Sequence, residues 1–298
     1  MARILLHCPL NISRSLVQMM QECCQRLQQD YHETIEVEVQ AHRPQEVPLF
    51  KGYVERGSLP DLTVGHVDDF ADLDPAFVAD QVQALPGRFD LRPELADLGF
   101  AHEPGWFHPF AVIPFAMFYN PTLVSPDEVP RIWGDLLGAR WKGRILMPDP
   151  NRIVSAVVKT CMRAEFPESF ANFTENITQQ GSPPEVVTAV DEGRYPLGIT
   201  NIAFARISRH KNTRIVWPED GLFCMPQVMV FGPGASEALL AVGDYLMSRP
   251  VQEYLALQSF VPASSVVDLH PLVAEHHCHL RWKGWDAFLE MVQGRHDL

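Results

Sequence analysis

The sequence lacks the positive charge and the long apolar segments that nucleic-acid and membrane proteins carry. Its 298 residues hold 37 Asp and Glu against 24 Lys and Arg, a formal net charge of -13. Phosphate backbones and anionic membranes bind clustered positive charge, so the net charge predicts neither a nucleic-acid nor an anionic-membrane partner. The longest apolar run, residues 110–119, is much shorter than the roughly 20 residues needed to cross a bilayer, and Pro114 lies within it. We therefore expect a protein that is not embedded in a membrane.

Cysteine is also sparse, and the six cysteines lack the dense spacing of a disulfide scaffold. Cys23 and Cys24 are adjacent within a helical pattern, where a mutual bond would strain the backbone. We expect reduced thiols, which favour a cytosolic protein. The N-terminus has neither the long apolar stretch nor the small-residue cleavage site of a secretory signal. The expected location is cytoplasmic if Met1 is native, and periplasmic or extracellular if a leader was removed.

Strand and helix signals alternate along the N-terminal part of the chain. Residues 3–7, 35–39 and 62–65 have the apolar character of strands, and apolar residues between the first two recur at helical spacing. Strand, helix, strand is the order that builds parallel sheets. The sequence therefore predicts the α/β class.

The length of the chain predicts two lobes, because chains longer than about 250 residues usually divide into two or more domains, each with its own core. Residues 99–109 are rich in His, Pro, Gly and aromatics, and the apolar strand signal at 111–119 follows them. We interpret this segment as a crossing between lobes. We place lobe one in residues 1–108 and 230–298, and lobe two in residues 109–229.

Two blocks of sequence carry a family resemblance. The first contains Tyr119-Asn-Pro, Trp133-Gly-Asp-Leu and Trp141-Lys-Gly-Arg-Ile145; the second contains Glu192-Gly-Arg-Tyr-Pro-Leu-Gly-Ile199 and Val216-Trp-Pro-Glu-Asp-Gly221. They lie between Phe110 and Pro262 and resemble the type II periplasmic (extracellular) solute-binding proteins, closest to the iron-type ABC-transporter receptors. The resemblance implies two α/β lobes of mixed sheet with helices on both faces, a double-crossover hinge, a ligand held between the lobes and, for an exported protein, an ABC permease as partner.

The resemblance does not extend to a ferric-ion site. Iron-binding members place adjacent tyrosines just after an Asn in the region of Gly198-Ile-Thr-Asn201, because phenolates are hard ligands suited to Fe(III). Here Asn201 is followed by Ile-Ala-Phe-Ala, and no two of the six tyrosines are adjacent. We therefore expect a small polar or anionic solute as ligand and no cofactor.

Three candidate ligand-binding residues follow the first and third predicted strands. Asn11 and Ser13 lie where strand one gives way to a helix, and free backbone N–H groups there favour an anion. Simple capping of the helix is the alternative. His66 directly follows strand three, where it would bond a ligand or serve a structural role. The carboxyl ends of parallel strands are where ligands bind in open α/β sheets.

Five more candidates occupy the corresponding positions of lobe two. They are Asn151, Arg152, Ser155, Thr200 and Asn201. An Arg at such a position offers a bidentate clamp to a carboxylate or phosphate, and a solvated surface Arg is the alternative. Short polar residues after a strand also serve simply to turn the chain.

An enzyme on the same scaffold is the alternative function, with Cys8 as nucleophile and His7 or His66 as base. A buried, inert Cys8 is the simpler interpretation, so no catalytic residue is assigned. His276-His-Cys-His279 combines donors that suit zinc or copper, but consecutive side chains point apart, and no metal ligand is assigned. We expect a monomeric binding protein, or a cytosolic sensor or carrier relative of one.

Overall fold

The structure of the protein is a computed structural model that describes residues 1–40 and 49–293. The strands are β1 (Ala2–His7), β2 (Ile35–Val39), β3 (Leu62–His66), β4 (His108–Tyr119), β5 (Ile145–Met147), β6 (Ile177–Gln179), β7 (Leu197–Asn201), β8 (Arg214–Val216), β9 (Leu222–Phe231), β10 (Val261–Pro262) and β11 (Leu280–Arg281). The helices are α1 (Leu10–Tyr31), α2 (Lys51–Glu55), α3 (Pro75–Gln81), α4 (Pro93–Ala96), α5 (Ile153–Glu165), α6 (Phe170–Asn176), α7 (Pro183–Asp191), α8 (Ile202–Ala205), α9 (Glu237–Leu246), α10 (Arg249–Leu257), α11 (Pro271–Ala274) and α12 (Trp285–Gln293). No helix in these two described ranges has both the length and the apolar character needed to cross a membrane.

The described residues form two compact units. Of these described residues, unit 1 comprises 1–40, 49–112, 225–274 and 284–286, and unit 2 comprises 113–224, 275–283 and 287–293. The chain passes from unit 1 to unit 2 within β4 and returns within β9.

The sheet of unit 1 is built around β1. This strand pairs in parallel with β2 on one side and with β3 on the other, and β3 pairs antiparallel with the C-terminal part of β9. Ile4, Leu5 and Leu6 are fully buried. A strand covered on both faces reads as a continuous apolar run, which explains the sequence of β1.

Helix α1 covers this sheet with one apolar face. Ile12, Leu16 and Met20 recur every four residues and are fully buried, as expected for side chains on one helical face. The helix begins at Leu10, and its N-cap residue Pro9 makes no side-chain hydrogen bond. The capping alternative for Asn11 and Ser13 is therefore wrong, because both lie inside the first turn of the helix.

The sheet of unit 2 has β5 between β6 and β7, all parallel. β7 and β8 each pair antiparallel with the C-terminal part of β4. Phe118, Leu146, Val186 and Val190 are buried together and form part of the core under helix α7.

A partly buried ionic network joins strand β11 to the rest of unit 2. β11 pairs in parallel with the start of β9. The Arg281 guanidinium donates to Glu165 through Nε at 2.8 Å and lies 3.0 Å from Asp220 Oδ2, while Lys283 Nζ lies 3.1 Å from Glu165. The Glu165 side chain is only 7% exposed, so its charge depends on these two cations.

Candidate functional site

Polar side chains converge at the carboxyl ends of β1 and β3 in unit 1. His7, the last residue of β1, donates from Nδ1 to Oδ2 of Asp69 at 2.6 Å. Its ring meets the ring of His66 edge to face, with 4.8 Å between the centroids. His66 Nδ1 accepts a hydrogen bond of 2.9 Å from the side-chain amide of Gln227 on β9. We call His7, His66, Asp69 and Gln227, together with Asn11, the unit 1 polar cluster.

The register of two parallel strands brings the two histidine-bearing segments together. His7 of β1 is paired with Gly65 of β3, which directly precedes His66. A Cβ atom on Gly65 would lie 2.3 Å from the His7 carbonyl oxygen. Glycine is therefore required for this close approach of β3 to β1.

Two members of the unit 1 polar cluster carry buried polar atoms with unused hydrogen-bonding capacity. In the described part of the chain, Asn11 Oδ1, Asn11 Nδ2 and Gln227 Oε1 have no hydrogen-bond partner. Leaving such a group unsatisfied costs about 1–3 kcal/mol. A bound solute with its own donors and acceptors would recover that energy.

Cys8 lies beside the cluster as a protonated thiol. Burial raises the pKa of Cys8 to about 12, although a hydrogen bond with the Ser13 side chain acts in the opposite direction. The thiolate is the nucleophilic form of cysteine, so a thiol with this pKa is almost unreactive at neutral pH. Ser13 is thus engaged with Cys8, and the site does not favour the enzyme alternative.

A second set of candidates lies in unit 2, at the carboxyl ends of β5 and β7. These strands are parallel neighbours, so the loops that follow them share one edge of the sheet. Asn151 is exposed in the turn after β5, and Arg152 is the N-cap residue of α5. Thr200 is fully buried near the end of β7, and its hydroxyl has no hydrogen-bond partner within the described residues.

Two of the unit 2 candidates have local structural roles. Ser155 Oγ donates a 2.7 Å hydrogen bond to the carbonyl oxygen of Pro148 and so fixes the turn that leads into α5. Asn201 Oδ1 accepts from the backbone N–H of Phe204 at 3.1 Å and caps α8. Both side chains already have partners, and their contact with a solute stays a prediction.

The sequence analysis did not select Asp69 or Gln227 as site residues. Asp69 follows β3 within a short turn, directly after Asp68, and acids after a strand end are a usable signal. Gln227 is the one amide in the otherwise apolar, fully buried strand Leu222–Phe231. A buried polar residue of this kind is informative by itself.

The His276–His279 segment of unit 2 packs against the protein through its first and third residues. The His276 ring stacks on Trp217 with 4.0 Å between centroids and a 12° interplanar angle, and Cys278 is buried. Within residues 1–40 and 49–293, no three His, Cys, Asp or Glu side chains converge in an arrangement that could hold a metal ion.

Solved structures with low sequence identity share this fold. The apo ferric ion-binding protein A of Pasteurella haemolytica has a TM-score of 0.70 at 13% identity, with 100% of this chain and 95% of that chain covered. The ferric binding protein of Campylobacter jejuni has a TM-score of 0.73 at 12% identity, with 100% and 98% covered. A protein described as a two-component system protein that mediates signal transduction has a TM-score of 0.69 at 18% identity, with 98% and 99% covered.

The sequence comparisons give the family. No curated protein sequence matches the chain, but residues 58–291 match the model of the bacterial extracellular solute-binding proteins, which is more than half of the chain. The predicted two-lobed α/β class and the predicted resemblance are confirmed. The chain belongs to the family of bacterial extracellular solute-binding proteins.

Proposed function

We propose that the chain binds a small polar or anionic solute and delivers it to an ABC permease. The unit 1 polar cluster carries this proposal. His7 and His66 are held in fixed orientations by Asp69 and Gln227, while Asn11 and Gln227 keep buried polar atoms without a partner in the described part of the chain. A solute that hydrogen-bonds to these atoms removes the energetic cost of leaving them unpaired.

The unit 2 residues support an anionic group on the solute. Arg152 stands at the N-terminus of α5, a 13-residue helix whose N-cap makes no side-chain hydrogen bond. The helix dipole and the guanidinium both favour a negative charge at that point, and an Arg fork matches a carboxylate or phosphate. Asn151 and the unpaired Thr200 hydroxyl are the neighbouring donors in this part of the described chain.

A bare ferric ion is not the proposed solute. The structural neighbours include the ferric ion-binding proteins of Pasteurella haemolytica and Campylobacter jejuni. In this chain the residues after Asn201 are Ile202, Ala203, Phe204 and Ala205, none of which offers a hard oxygen ligand through its side chain. Imidazole, amide and guanidinium groups instead fit an organic or oxyanion solute.

The family supports an extracellular or periplasmic location for this function, and we propose that the protein acts there as a monomer. A sensor that reports the solute to a signalling partner is the second candidate. The similarity to the two-component system protein favours it, because the same fold accommodates that role.

Native mass spectrometry of protein purified without added ligand tests the proposal. We expect a bound small molecule that is lost on denaturation. Asn11→Leu should weaken its retention at least about tenfold without lowering the stability of the free protein, since Leu removes the unpaired amide. Arg152→Gln should also weaken retention.

Arg144→Gln is the matched control, because Arg144 is an exposed cation of the same unit that lies over the Trp141 ring and precedes the amino end of β5, whereas the candidate residues follow its carboxyl end. Arg144→Gln should retain the solute as well as the unaltered protein does. The proposal would be overturned if Asn11→Leu and Arg152→Gln retained the solute as well as the unaltered protein does, or if the protein bound ferric salt alone.

A further inference from the structure

An exposed loop of unit 2 concentrates positive charge in an acidic protein. Residues 206–214 read Arg-Ile-Ser-Arg-His-Lys-Asn-Thr-Arg and contain four Lys or Arg and no Asp or Glu, whereas the whole chain has a formal net charge of -13. Arg206, Arg209, Lys211 and Arg214 are all exposed. We call residues 206–214 the basic loop.

A buried carboxylate at the end of α7 fixes the shape of the basic loop. Asp191 accepts hydrogen bonds from Ser208 Oγ at 2.5 Å, from the His210 backbone N–H at 2.7 Å and from the Asn212 backbone N–H at 3.0 Å. Burial alone would raise the pKa of Asp191, but these hydrogen bonds outweigh it and hold the pKa below its usual value. The Asp191 carboxylate therefore faces inward and is occupied by hydrogen bonds from the loop.

Three of the four cations of the basic loop have charges that are available to a partner. Within the described residues, Arg209, Lys211 and Arg214 form no ion pair with a carboxylate. Arg214 instead donates from Nη1 to the backbone carbonyls of Lys211 and Thr213. Between the cations lies Ile207, a large aliphatic side chain that is 56% exposed.

We propose that the basic loop binds the surface of an anionic phospholipid membrane. Three of the four cations are Arg, whose fork matches phosphate oxygens, and Ile207 supplies the apolar contact that enters the headgroup boundary. The acidic remainder of the protein is repelled by the same surface, so contact through the basic loop sets one orientation. This inference does not depend on the proposed solute site.

An acidic protein is the other partner with matching charge, and the size of the loop argues against it. A stable protein interface takes about 20–30 residues from each side. The basic loop offers nine residues. A lipid surface does not require an interface of that size. Each Lys or Arg near an anionic surface strengthens binding about fivefold, so a few cations are enough.

Co-sedimentation of the full chain with vesicles tests the proposal. We expect binding to vesicles of phosphatidylglycerol and phosphatidylethanolamine, little binding to phosphatidylcholine vesicles, and loss of binding at about 0.5 M salt. The double variant Arg209→Gln with Lys211→Asn should bind about 30-fold more weakly, since two cations are removed. Asn is chosen because Lys211 has a left-handed backbone with φ of 57°, which Asn tolerates.

Ile207→Ser should weaken vesicle binding about tenfold and leave its salt dependence unchanged. The control is Arg131→Gln with Lys142→Gln, which changes the net charge equally at two exposed cations of unit 2 that are paired with Glu219 and Glu175; it should bind as the unaltered protein does. Equal binding to both kinds of vesicle, no binding to either, or no effect of the loop substitutions overturns the proposal. Loop-dependent binding to polyglutamate alone would identify an acidic protein as the partner and overturn it too.

Discussion

His108 of unit 1 shows how one residue couples stability to pH. The residue is 6% exposed, and its ring packs edge to face against the stacked rings of Phe89 and Phe231, with centroid distances of 5.2 and 5.8 Å. Burial first, and then the charge of His102, lower the pKa of His108 to about 4. The folded protein therefore keeps this imidazole neutral at pH values where the unfolded chain protonates it.

We predict that the protein loses stability through His108 as the pH falls from about 6.5 to about 4. The folded pKa lies below the unfolded one, so the unfolded chain binds more protons in that window, and the loss reaches on the order of 3 kcal/mol at about pH 4. Urea unfolding at about pH 7 and about pH 4.5 measures this difference in the free energy of unfolding. His108→Gln, which does not titrate, should show a smaller difference between the two pH values. An unchanged difference in that variant would mean that other groups carry the pH dependence.

At the scale of elements, the close pairing of β1 and β3 positions the unit 1 polar cluster. We predict that Gly65→Ala lowers the free energy of unfolding by roughly 1–3 kcal/mol. The reason is that the new Cβ would lie 2.3 Å from the His7 carbonyl oxygen, so the strands must separate. Solute retention should fall as well, because His7 and His66 are the last residues of β1 and β3 and move apart when these strands separate.

Gly198→Ala is the comparison for Gly65→Ala, since its Cβ would meet the Phe118 ring of unit 2 at 2.5 Å. It should destabilise the protein without disturbing His7 and His66. If both variants lose stability equally and both retain the solute, the close pairing of β1 and β3 does not position the site.

The sequence predicted elements better than it predicted the site. The predicted strands at 3–7, 35–39 and 62–65 match β1, β2 and β3 within one or two residues, because apolar periodicity is local information. The capping alternative for Asn11 was wrong, since Pro9 is the N-cap residue of α1. The partners of the two histidines were missed because strand register and the turn after β3, not sequence spacing, bring Gln227 and Asp69 to them.

At the scale of the whole molecule, burial reconciles six cysteines with an extracellular family. All six are free thiols, and Cys23, Cys24, Cys161, Cys224 and Cys278 are buried. Burial raises the pKa of Cys23 to about 11 and of Cys24 to about 12, and it raises the pKa of Cys161 and Cys224 further. Thiols that are both shielded and protonated persist in an oxidising compartment, because oxidation and exchange proceed through the accessible thiolate.

We therefore predict that iodoacetamide at about pH 7.5 adds nothing to the native protein on the timescale on which it labels free cysteine. With the pKa of Cys8 at about 12, its thiolate is on the order of a thousandfold rarer than that of an unperturbed cysteine. Intact-mass measurement should show no adduct on the native protein and six after denaturation. Peptide mapping assigns any native label, with Cys8→Ala as control. Rapid native labelling at Cys8 would show a reactive thiolate beside His7 and restore the nucleophile hypothesis, whereas its absence leaves Cys8 and Ser13 as packing partners next to a binding site.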